Sequence, residues 1–192
     1  VVLQKGTPGV KKKFKGRVLT IVQGASGNTY GHWLLEMLPK IKICSEHYAI
    51  KDIDYFYTPN LTTFQKETLS VLNIDPSKII NSKKYRHIEA DELLAVVHPS
   101  YHKGFILEEF KYQPRWVIEW IRSTYLPYAK NFMANKRVYL DRTDSLNKHC
   151  QFIQEKEISE YLIKEKGFVK YQLTKLSFFE KIFLFNNAEI IF

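Results

Sequence analysis

At 192 residues, with 45% hydrophobic and 15% aromatic side chains, the chain has apolar mass for one domain, or one and a fraction, and is not intrinsically disordered. Its two cysteines, Cys44 and Cys150, lie far apart without zinc-type spacing, which argues against a disulfide scaffold or a zinc module and fits a reducing compartment. The net charge of +9 suits phosphate-bearing ligands or an anionic membrane surface approached peripherally; nucleic acid is disfavoured, because no recognisable nucleic-acid motif accompanies the charge.

The longest apolar runs, Leu93–Val97 and Ile182–Phe185, are far short of the roughly 20 residues a membrane-crossing helix needs. The sequence begins Val1-Val2-Leu3 without signal-peptide architecture, so a soluble, cytoplasmic chain, trimmed or internal to a longer one, is expected. Residues 1–16 read as irregular. Arg17–Val22 is β-branched and apolar, a buried strand, and Gly24–Gly27 is a tight loop of small residues. Asn28 then caps a helix over about 29–45, which Pro39 should bend or end.

Residues 54–58 read as a second strand, followed by a helix capped at Thr62 or Thr63 and a short strand at 78–80. Further strand material covers 87–90 and 92–97. The loop 98–104 carries His98 and His102, read as exposed loop polarity because no ligand pattern surrounds them. Pro114 opens a helix carrying Trp116 and Trp120, read as core, and Pro127 closes it. The alternation then restarts, with strands at 137–140, 168–173 and 188–192. The helices between them are 155–166, stopped by Gly167, and one opened by a Ser177–Glu180 capping box. The fold class expected is α/β, with residues 1–130 as one unit and 131–192 as a second, incomplete one that stops in a strand.

Within the first helix, Asn28, His32 and Glu36 recur every fourth residue and make one polar stripe through Trp33, Leu34, Leu35, Met37 and Leu38. A buried polar stripe needs a reason, since each unpaired group costs about 1–3 kcal/mol. His32 suits a general base near neutral pH, with Glu36 orienting it, or Glu36 is itself the base with its pKa raised by an apolar setting. Plain capping by Asn28 and a purely structural His32–Glu36 pair compete with this reading. A metal pair lacks a visible third ligand. Arg142, closing the strand at 137–140, suits a diphosphate, against the alternative of a surface ion pair with Asp141 or Asp144.

The segments Gly27-Asn28-x-x-x-His32-Trp33-Leu34-Leu35-Glu36-x-Leu38-Pro39, Val138-Tyr139-Leu140-Asp141-Arg142 and Leu176–Ile191 resemble, in order, signature blocks of glycosyltransferase family 61. The resemblance implies a GT-B-like architecture of two Rossmann-like units and a nucleotide sugar as donor. It also implies a glycan or protein hydroxyl as acceptor, inverting transfer and no resident cofactor. His32 and Glu36 would be catalytic; Asn28 and Arg142 would bind substrate. Two departures stand against it. The family's His-Gly-Ala donor loop would follow Ile191 and is absent, and Gln151 stands where an arginine is common. They motivate the alternative of a non-catalytic or degenerate α/β binding module. Oligomeric state is not legible.

Overall fold

The computed structural model describes residues 10–23, 29–100, 112–131, 135–144 and 153–192, and divides into two compact units, Val1–Arg122 and Ser123–Phe192. In the first, β1 (Lys12–Thr20), β2 (Tyr55–Thr58), β3 (Ile79–Asn81) and β4 (Ile88–Ala95) form a parallel sheet in the order β3-β2-β1-β4. β1 starts earlier than its apolar run suggests, which corrects the irregular reading of residues 12–16. Lys11 and Lys13 both pair with Glu89 at the strand's start. Between them and the apolar half, Phe14 packs edge-on against Tyr55 and Tyr85 at 5.4 and 5.7 Å. The register against β4 slips between Phe14 and Arg17. Gly16 carries that bulge at φ +99°, where a Cβ would collide with the Asp54 carboxylate.

Helix α1 spans residues 30–45, and its middle, Trp33–Met37, is π-helical: the Leu38 amide reaches back to the Trp33 carbonyl. Pro39 accounts for this. It has no N–H to give the Leu35 carbonyl, and its ring would strike that carbonyl in a tight α turn. The turn before it widens, and the helix resumes as Leu38–Ser45 with Pro39 in its first turn. So the proline interrupts the helix without ending it.

Trp33, Met37, Leu38 and Ile41 of α1, with Val18, Leu19 and Ile21 from β1 and the residue after it, are at most 1% exposed. Burial of each such side chain contributes about 1.5–3 kcal/mol. Trp33 Nε1–H donates to Thr68 Oγ1 on α2 (Thr63–Val71) at 2.9 Å, and Tyr30 packs on Phe64 at 4.5 Å, which fixes α1 beside α2. Thr62 opens α2, its amide donating to Gln65 Oε1 at 2.8 Å. Helix α3 (Arg115–Tyr125) begins after Pro114, as expected.

In the second unit β5 (Arg137–Leu140), β6 (Val169–Tyr171) and β7 (Ile190–Ile191) are parallel in the order β6-β5-β7. Helix α4 (Glu155–Lys166) ends at Gly167 in the left-handed region, φ +66°. Ser177 and Glu180 form the capping box of α5 (Phe178–Asn187), the Ser177 amide donating to Glu180 Oε2 at 2.8 Å. Val138, Tyr139, Phe178 and Leu184 are among the buried side chains of this unit. Strand β6 is shorter than expected because residues 173–175 turn into a 3-10 helix. In each sheet the chain returns to the far side of its first strand, placing β4 beside β1 and β7 beside β5. Among the described residues no helix is long and apolar enough to cross a membrane.

Candidate functional site

Open parallel sheets bind ligands beyond the carboxyl ends of their strands, where the strand order reverses. In the first unit that point lies between β1 and β4. Thr20 and Ala95, the last residues of the two strands, are register partners. Residues equally far beyond them therefore emerge side by side, and these are Gln23 and His98, each three positions on.

Glu36, on the π-helical turn of α1, meets both of them. Its side chain is only 5% exposed. Gln23 Nε2 donates to Oε2 in a short contact, His98 Nε2 lies 3.2 Å from the same oxygen, and His32 Nδ1 lies 2.5 Å from Oε1. A carboxylate in such a place is stable only with donors around it, since an uncompensated buried charge costs several kcal/mol. Hydrogen bonds from Gln23 and His32, with the His98 ring close by, supply that compensation.

The hydrogen bonds also fix the ring protons. The Ser100 amide can only donate, and it donates to His98 Nδ1 at 3.2 Å, so the ring's proton is on Nε2, which faces Glu36 Oε2. A Glu36 carboxylate can only accept, so His32 carries its proton on Nδ1. The His32 side chain is 28% exposed. A carboxylate on one imidazole nitrogen can orient the ring for general-base work. One turn beyond Glu36, Lys40 is 7% exposed; burial pulls its ammonium pKa down, and the charge of Glu36 draws it partly back up.

The structure thus brings His32 and Glu36 together. Asn28 lies outside the described residues, as do His102, Cys150 and Gln151; Thr29, not Asn28, stands at the N-cap position of α1, without a side-chain cap bond. The reading of His98 as exposed loop polarity is overturned by its placement 3.2 Å from buried Glu36, and Gln23 and Lys40 were not singled out at all. The usable signal for Gln23 and His98 was their equal distance past two strand ends, which becomes informative only once β1 and β4 are known to be neighbours. Although three potential ligands converge, the two imidazoles address different oxygens of Glu36, and no group of three His, Cys, Asp or Glu among the described residues is arranged to hold a metal ion.

Arg142 belongs to the second unit, exposed just beyond the carboxyl end of β5. Its expected ion-pair partners are engaged elsewhere. Asp141 accepts from Gln172 and the Thr143 amide, at 2.8 and 2.9 Å, and pairs with Lys170 at 2.9 Å. Asp144 accepts from the Thr174 amide at 3.0 Å and from its hydroxyl.

The family model described as Glycosyltransferase 61 matches residues 30–192, a span that includes His32, Glu36, His98 and Arg142. No curated protein and no solved structure matches the chain.

Proposed function

We propose, from the premise that the chain belongs to glycosyltransferase family 61, that it moves a sugar from a nucleoside-diphosphate donor to a hydroxyl of a glycan or protein acceptor. The observation that carries the mechanism is the buried Glu36 carboxylate holding His32 through Nδ1 at 2.5 Å. His32 Nε2 takes the proton of the acceptor hydroxyl. The oxygen attacks the anomeric carbon, the bond from that carbon to the diphosphate oxygen breaks, and the nucleoside diphosphate leaves with the electron pair. Attack opposite the leaving group inverts the anomeric centre. Glu36 holds the ring in register and stabilises the imidazolium that forms.

In this reading Arg142 meets the donor diphosphate, for which a guanidinium is better shaped than an ammonium, and Asn28 contacts substrate from the start of α1. A GT-B architecture fits two units that each carry a parallel sheet. The chemistry asks for no resident cofactor, and a cytoplasmic enzyme working at or near a membrane fits the basic composition. The test is transfer by the full-length enzyme from a panel of nucleoside-diphosphate sugars. His32→Ala should lower kcat by about 10²–10⁴-fold, the usual worth of a positioned base, with an unchanged circular dichroism spectrum. Wild-type turnover in that variant sinks the mechanism.

A further inference from the structure

The first unit has a cleft of about 670 Å³ between the C-terminal half of α1, the segment after β4 and helix α3. That lies within the roughly 300–1,000 Å³ usual for small-ligand sites. One wall is aromatic: Trp116 and Trp120, one helical turn apart, both face it. Neither tryptophan is packed as core. Val117 between them is fully buried, and Trp33 elsewhere in the unit is fully buried with its N–H satisfied, whereas Trp116 and Trp120 are only half-buried. Val97, 71% exposed, extends the apolar wall. The other wall is polar. Lys42, Glu46 and His47 line it, with Lys42 Nζ bonded to Glu46 Oε1 at 2.7 Å.

We propose that this cleft is the acceptor subsite and that its occupant is a neutral pyranose unit. A pyranose has an apolar C–H face, which flat indole rings suit, and an edge of hydroxyls, which the paired Lys42 and Glu46 can meet with both donors and acceptors. An acyl chain would have no use for the charged wall. A phosphate would compete with Glu46 for Lys42. The cleft also adjoins the Glu36 cluster, because His98 lines it and lies 3.2 Å from Glu36. A sugar stacked there is one side chain away from the carboxylate that orients His32. The word acceptor rests on the transfer reading; the binding of a saccharide does not.

The chain's tryptophans are Trp33, Trp116 and Trp120, so their ¹⁵N-labelled indole resonances report the cleft directly. The full-length protein is titrated with the methyl glycosides of xylose, galactose, mannose and N-acetylglucosamine. At least one should move the Trp116 and Trp120 indole signals saturably while Trp33 stays still. Trp120→Leu should weaken that binding about tenfold or more, and Trp120→Phe, which keeps an aromatic face, by no more than about threefold. No saturable shift with any glycoside, a shift at Trp33 alone, or undiminished binding in a folded Trp120→Leu overturns the proposal. His32→Ala separates the two readings. It should bind the glycoside as the wild type does, and if it also transfers sugar normally, the base assignment fails while the subsite stands.

Discussion

Among the described residues two acids are almost wholly buried, Glu36 and Asp141, and each is surrounded by N–H groups. For Asp141 the balance can be followed with pH. Burial pushes its carboxyl upward, but the bonds from Thr143, Lys170 and Gln172 outweigh burial and hold it below the ordinary carboxylate range. A folded-state pKa below the unfolded one means stability that is complete above the unfolded value near 4 and is lost as pH falls towards the depressed value. Asp141→Asn removes the charge and sets an amide N–H against one of those donors. It should cost about 1.5–3 kcal/mol at neutral pH, the worth of hydrogen bonds to a charged group. The gap to wild type should close as pH falls below about 4. Urea titrations at pH 7 and at acidic pH check this, and a difference that does not change with pH would show that Asp141 stabilises by shape alone.

The elements that sequence foretold are those whose ends are marked by local chemistry. Ser177 with Glu180 opens a helix and Gly167 closes one, both as read, and of the two candidates Thr62 and Thr63 it is Thr62 that caps α2. β1 was half-legible, because its lysine-rich start depends on Glu89 in a strand far along the chain. His32 and Glu36 were visible as a spacing. Gln23 and His98 were not, because only the pairing of β1 with β4 makes them neighbours. The π turn lay between these cases: Pro39 announced a disturbance but not its form. That turn matters because it sets the direction of Glu36. A regular α-helix advances about 100° per residue, so tightening the turn would swing the carboxylate relative to Gln23 and His98. Pro39→Ala permits the tightening. We expect an equal or higher melting temperature, since alanine is the better helix former, together with a kcat lowered about tenfold or more. Unchanged turnover would show that the carboxylate finds its donors without the widened turn.

At the scale of the whole chain, 29 basic against 20 acidic residues give a field that no single contact explains. Many of these charges are already matched locally, as with Lys11 and Lys13 on Glu89, Arg17 on Glu92 and Lys136 on Glu189. The surplus acts at a distance. The nucleoside-diphosphate sugar of the proposed function is an anion that such a surplus would draw in, and a neutral glycoside is not. Salt separates the two, because the screening length falls from about 30 Å at 0.01 M to about 8 Å at 0.15 M. Over that range KM for the donor should rise severalfold, while the affinity of methyl glycosides for the Trp116–Trp120 cleft stays constant. kcat should also stay constant, because the Glu36 carboxylate that holds His32 is buried and is screened little. Steady-state kinetics against sodium chloride, with the indole titration run in parallel, reads all three quantities. A donor KM indifferent to salt would mean that the net charge is a solvated surface with no part in capture. A fall in kcat instead would place the salt-sensitive charge in the chemistry itself.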